Sequence, residues 1–199
     1  MPSKLALASL SALGAGTAAT GGILGHKYLF TQKDSLISRL REKLKGKEHM
    51  KILSSKEDSI WSSWKEFYGL EKEALIYGID KGSLPEWCEK SLLGNDESKL
   101  DLASRWCVVN TRSIKEELES GSKEILGDSA NWESEWESYN TKKGDLGIED
   151  DSFKGVTQKD KGGPALKAWC TTSLSKRMYE FFEGGKGYEK VSKWCVKSS

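Results

Sequence analysis

Four cysteines, two histidines and two short loop-like runs are the residues of this 199-residue chain whose types can support chemistry. Cys88, Cys107, Cys170 and Cys195 are singletons separated by 19, 63 and 25 positions. Metal-binding cysteines commonly come as C-x-x-C knuckles, which place two thiolates on one tight turn of a tetrahedral zinc site. No knuckle occurs here. His26 lies in an uncharged segment, and His49 alone cannot complete two sites, so no metal centre is expected.

Catalysis fares no better. His49 is the one imidazole left to activate a Ser or Cys nucleophile, and it sits in a charged stretch without a recognisable partner motif, as a solvated surface histidine would. Gly184-Gly185-Lys186-Gly187 lacks the G-x-x-x-x-G-K-[ST] spacing and the preceding strand of a phosphate loop. Glu149-Asp150-Asp151 lacks calcium-loop spacing. Both runs read as solvated loops. The expectation is a chain with no catalytic residue and no cofactor.

The cysteines acquire meaning from what surrounds them. Leu84-Pro-Glu-Trp87-Cys88-Glu-Lys-Ser91-Leu92 and Leu166-Lys-Ala-Trp169-Cys170-Thr-Thr-Ser173-Leu174 both read L-x-x-W-C-x-x-S-L. The neighbouring blocks recur in the same order. Each copy opens with a charged, helix-like stretch after a threonine, Thr31 to Leu53 (with Leu36, Leu40 and Leu44) against Thr111 to Leu126 (with Ile114 and Leu118). An aromatic block follows, Trp61, Trp64 and Tyr68 against Trp132, Trp136 and Tyr139. After the L-x-x-W-C block, each copy closes on a second pair, Trp106-Cys107 against Trp194-Cys195. The body is thus an internal repeat, with unit 1 over residues 31–107 and unit 2 over 108–199.

The spacings within the blocks are helical. Leu84, Trp87, Cys88, Ser91 and Leu92 fall at i, i+3, i+4, i+7 and i+8 and share a face. Trp132, Trp136 and Tyr139 do likewise, and Pro85 suits a first helical turn. No run alternates with β-branched residues as a strand would, so each unit is expected to be a bundle of three or four helices. Lys142 to Gly155 and Gly184 to Gly187 are expected to be surface loops.

Eight tryptophans follow the repeat, Trp61, Trp64, Trp87 and Trp106 in unit 1 and Trp132, Trp136, Trp169 and Trp194 in unit 2. Aromatics at helical spacing supply the apolar area a small bundle needs, so these are expected to be core residues, with an aromatic cage for a cation as the competing reading. Four cysteines allow three pairings. The repeat favours Cys88–Cys107 and Cys170–Cys195, because equivalent helices should meet equivalently. Closing each loop is expected to add roughly 3 kcal/mol, and it requires an oxidising compartment. In a reducing one the same residues would be buried thiols.

The amino-terminal 30 residues differ in character. Leu5 to Gly25 is 21 residues without a charge, long enough as a helix for a bilayer core of about 30 Å. An uncleaved membrane anchor is expected, with a cleaved signal peptide and a buried helix as the alternatives. Seven cations between Lys27 and Lys47 favour a cytoplasmic body by the positive-inside rule, whereas paired cysteines favour an external one. Lys4 and Lys27 are the only charges before residue 31, which leaves 29 basic against 30 acidic residues in the body. That balance offers little attraction for phosphate backbones, so nucleic acid is not an expected partner.

The order of an apolar Gly/Ala-rich start, the T-x-x-I-K-E-E-L stretch at Thr111 to Leu118, paired tryptophans before Tyr139, L-x-x-W-C and then Lys193-Trp194-Cys195 resembles the paralogous families of small uncharacterised proteins of haemotropic mycoplasmas. The resemblance covers essentially the whole chain. Unit 1 departs from the pattern at Leu36-Ile-Ser-Arg-Leu40 and at Pro85. It carries no established function, and implies a lineage-specific expansion in wall-less bacteria that live attached to red cells.

Together these readings predict an all-α protein, an N-terminal single transmembrane helix (residues 1–30) followed by two tandem helical-bundle repeats. Its expected location is the plasma membrane, single-pass through residues 5–25 with the body outside, or secreted if the segment is cleaved. Its expected role is a non-enzymatic, surface-displayed interaction or antigen module with a host or cell-surface protein partner. A cytoplasm-facing scaffold is the alternative.

Overall fold

The computed structural model describes residues 34–72 and 75–197. Unit 1 comprises α1 (Leu36–Lys43), β1 (Met50–Ile52), α2 (Trp61–Leu70), α3 (Leu84–Leu93), a 3-10 turn at Glu97–Lys99 and α4 (Leu100–Trp106), and it is closed by β2 (Val108–Asn110), three residues past the boundary read from the repeat, which pairs with β1. Unit 2 comprises α5 (Ile114–Ser120), α6 (Trp132–Lys142), 3-10 turns at Gly144–Leu146 and Asp151–Phe153, α7 (Lys159–Ser175) and α8 (Gly187–Trp194).

The expectation of a purely α-helical chain is corrected by β1 and β2, which pair antiparallel in the register Met50↔Asn110, Lys51↔Val109, Ile52↔Val108. The charged stretch read as helix from Thr31 to Leu53 stops instead at Lys43. Gly46 takes a positive φ of 77°, a conformation that glycine adopts without steric cost, and the chain turns back to present β1. The amide of Leu53 then donates to the Cys107 carbonyl (2.8 Å). Unit 2 repeats the manoeuvre. α5 ends at Ser120, Ser122 has φ 58°, and the Leu126 amide donates to Cys195 (2.9 Å), with an isolated bridge between Ile125 and Val196.

Among the described residues no helix is long and apolar enough to cross a membrane. The longest, α7, has 17 residues and includes Lys159, Asp160, Lys161 and Lys167, so it is both shorter than a bilayer core requires and charged over its first half. This finding overturns the expectation of a single-pass plasma-membrane protein and of a transmembrane helix in the fold. Residues 5–25, which carried that expectation, lie outside the described residues.

Apolar burial separates into two clusters. One joins Leu36, Leu40, Leu53, Leu84, Leu92, Trp106 and Val109 of unit 1; the other joins Ile114, Leu118, Trp136, Leu166, Val191 and Trp194 of unit 2. Three residues, Thr111 to Ser113, separate β2 from α5. Ser113 caps α5 through a reciprocal box, accepting from the Glu116 amide (3.1 Å) while Glu116 accepts from the Ser113 amide (2.6 Å). Two orphan donors at the helix start are thereby satisfied.

The units also share a seam. The Thr111 amide (2.7 Å) and hydroxyl (2.8 Å) both donate to the His49 carbonyl. From unit 2, the Phe181 amide donates to Ser63 Oγ (2.6 Å), its ring stands edge-on to Phe67, and Tyr179 packs against the unit 1 cluster. The segment between α7 and α8 therefore closes one core while leaning on the other.

Candidate functional site

The repeated Trp-Cys blocks form one frame twice. Cys88 is bonded to Cys107 and Cys170 to Cys195, with Cα–Cα distances of 5.5 Å in both cases. This is the pairing favoured by the repeat, and it ties α3 to α4 and α7 to α8. All four sulfurs belong to essentially unexposed residues. Each disulfide therefore crosses a core, where reductants have poor access.

The frame continues through the aromatic block. Tyr68 Oη accepts from the Ile76 amide (2.9 Å) and donates to the Ile79 carbonyl (3.0 Å); Tyr139 Oη accepts from the Ile148 amide (2.9 Å). Each tyrosine ring stands edge-on to the tryptophan of the closing Trp-Cys pair, Trp106 at 4.8 Å and Trp194 at 5.2 Å. Burial pushes the Tyr139 phenol above its ordinary range, outweighing the Ile148 amide, which favours the anion. Trp61 Nε1 donates to the Ser55 carbonyl and Trp132 Nε1 to that of Gly127, pinning the start of each aromatic helix to the loop before it.

The eight tryptophans do not match pairwise throughout. Trp61, Trp106, Trp136 and Trp194 are buried; Trp64, Trp87, Trp132 and Trp169 are half-buried and packed against the cores. Trp61 and Tyr68 precede Trp132 and Tyr139 by the same interval, which sets Trp64 opposite Glu135 rather than Trp136. The two rings accordingly do different things. Trp64 Nε1 donates to the Trp106 carbonyl (2.9 Å), whereas Trp136 Nε1 has no partner and its indole lies on the backbone of Gly162, where an added Cβ would come within 2.1 Å of the ring.

The remaining sequence candidates have structural employment. His49 is half-buried and contributes its carbonyl to Thr111. Asp150 accepts from the Ser152 amide (2.9 Å) and hydroxyl (2.6 Å), which holds its carboxyl below the usual range and caps the 3-10 turn; Asp151 pairs with Lys154 (2.5 Å). Gly184, Gly185 and Lys186 carry consecutive positive φ values of 73°, 71° and 54°, a tight reversal that swings the chain into α8. Among the described residues no group of three or more His, Cys, Asp or Glu is placed to hold a metal ion.

One residue that the sequence reading passed over stands out. Lys190 of α8 is buried at 3% exposure, as is Ser173 of the repeated α7 block at 2%, and both line a cavity of about 400 Å³ in unit 2. Counting four residues back from the closing tryptophan in each unit places Lys190 opposite Leu102. The aligned repeat thus contained the signal, a charge at a position where the other copy is apolar. Comparison with protein-family models, curated proteins and solved structures finds no match for the chain.

Proposed function

We propose that this protein is a non-enzymatic interaction module that works in an oxidising compartment, two disulfide-stapled frames holding loops that differ between them. The observation that carries the reading is the repetition of the frame. Both units preserve the disulfide, the Leu amide to Cys carbonyl bond and the edge-on tyrosine–tryptophan pair. What varies is the connecting chain, residues 71–83 between α2 and α3 in unit 1 against residues 143–158, which carry two 3-10 turns, between α6 and α7 in unit 2. A fold that fixes its core twice and spends its differences on loops suits recognition of a protein partner. Leu70 at the end of α2 and Leu75 and Tyr77 in the loop after it are exposed at 57%, 48% and 102%, and tyrosine is among the residue types enriched at binding hot spots. The reading includes kinship with the haemotropic mycoplasma families, resting on block order alone.

The test is a thiol count in protein recovered from its native cells after immediate alkylation. No labelled cysteine before reduction and four after it are the expected result. Four labelled cysteines without reduction would overturn the oxidising compartment and, with it, the stapled module.

A further inference from the structure

Unit 2 holds a cavity that its own fold does not require. Its walls are α7, the start of α8 and the segments at Ile148–Ser152 and Phe182–Glu183, and its volume of about 400 Å³ lies in the range of small-molecule sites. At its floor are Lys190 and Ser173. Neither side chain makes a hydrogen bond or ion pair among the described residues, and neither polar atom is shut off from solvent, so both face the open cavity.

The Lys190 stem is buried, and its ammonium opens onto the cavity without a counter-ion. The frame has no need of it, because unit 1 fills the equivalent position with Leu102. A lysine retained there unpaired is accounted for by a partner that arrives from outside.

The mouth of the cavity has the opposite character. Glu149, Asp150 and Glu183 line it and are exposed. Asp150 is engaged by Ser152, but Glu149 and Glu183 make no ion pair or hydrogen bond among the described residues. Lys176, also in the lining, has its Nζ over the Phe182 ring at 4.4 Å. Trp169 supplies a half-buried aromatic wall.

We propose that this cavity binds a small zwitterion, a molecule bearing one carboxylate and one amine, such as a free amino acid. The carboxylate reaches Lys190 and the Ser173 hydroxyl at the floor. The ammonium remains at the mouth between Glu149 and Glu183, and an apolar side chain lies on Trp169. A multiply charged anion such as phosphate would meet the acidic mouth on entry, and a lone cation would meet Lys190 at the end, so neither fits the arrangement.

The experiment is a titration of the full, oxidised chain followed by amide nuclear magnetic resonance at Ser173, Lys176 and Lys190. L-leucine and γ-aminobutyrate are the zwitterionic probes; acetate and ethylamine carry one charge each. Saturable shifts confined to the cavity are expected with at least one zwitterion, and weaker or no response with the single-charge probes. Lys190→Met keeps the stem and removes the charge, and should weaken binding by roughly tenfold or more. Glu183→Gln, at the exposed mouth where folding is not at stake, should weaken the zwitterion and leave acetate unchanged. No saturable shift with either zwitterion, acetate binding as tightly as they do, or Lys190→Met binding undiminished would each overturn the proposal.

Discussion

Gly162→Ala sets two well-known effects against each other. Alanine in place of glycine within a helix ordinarily stabilises by roughly 0.5–1 kcal/mol, through the entropy of the unfolded chain and better helix propensity. Gly162 lies in the early turns of α7, directly beneath Trp136, and a Cβ there would sit 2.1 Å from Cδ2 and Cε2 of the indole. The ring has nowhere to retreat. Trp136 is 2% exposed and is backed by Tyr139 and Phe153 at centroid distances of 5.2 and 5.4 Å. Overpacking a filled core costs about 1–3 kcal/mol, and a contact this short against a braced ring belongs at the upper end. The clash therefore wins, with an expected net loss of about 2 kcal/mol. Urea unfolding should show a lower midpoint at unchanged slope. A double-mutant cycle with Trp136→Phe isolates the contact, since the indole nitrogen makes no hydrogen bond that the smaller ring would forfeit. Gly162→Ala should cost distinctly less in the phenylalanine background. A midpoint equal to or above that of the parent protein would refute the packing argument outright.

The disulfides close loops with sequence separations of 19 and 25, for which the chain-entropy relation gives about 3 kcal/mol each. Cys170→Ala with Cys195→Ala should lower unfolding stability by about that amount, and a loss below about 1 kcal/mol would show that the staple is redundant with the core. Tyr139→Phe leaves the buried Ile148 amide without its acceptor, at a cost of about 1–3 kcal/mol measured by denaturant unfolding. Because burial raises the Tyr139 phenol above its unfolded value of 10.0, its contribution is fully present below that pH and lost as pH climbs past it. Alkaline unfolding should therefore begin above about pH 10 and be blunted in the Phe variant. Asp58 works at the other end of the scale. Partial burial pushes its carboxyl up, but the Lys51 ammonium at 2.7 Å and the Ile60 amide together hold it below its ordinary value of 3.8. The clamp it forms between β1 and the start of α2 stabilises above that pH and weakens as pH falls through the lowered value. Asp58→Asn should flatten the acid limb of the stability profile.

How much of this was legible in the sequence depends on the length of each signal. The Leu-Trp-Cys blocks announce themselves over nine residues, and the spacing of Leu84, Cys88 and Leu92 is enough to align them on a buried face. The pairing of cysteines follows once two copies are recognised. β1 and β2 are three residues each, too short for alternation to register, and Met50-Lys51-Ile52 continues the leucine spacing of the helix before it. Only the distant partner Val108-Val109-Asn110 makes it a strand. The start of α7, Lys159 to Pro164, contains two glycines and a proline and has poor helix propensity. Its helicity comes from tertiary packing, since only residues without a Cβ let it approach α6 so closely. Trp64 and Trp136 look equivalent by order within their blocks, and a one-residue offset sends them to different neighbours.

The strand pairing has a consequence for how such a chain can change over generations. β2 closes unit 1 beside β1, and after Thr111 to Ser113 the chain is already inside α5. The exit of the unit is thus tied back onto its own strand, and each disulfide is completed without borrowing a cysteine from its neighbour. A gene segment encoding one unit can be copied or excised in frame by unequal recombination while the apolar interior of the adjoining unit stays whole. The seam at Ser63 and Phe181 is the surface such an event must rebuild, so new copies should diverge first there.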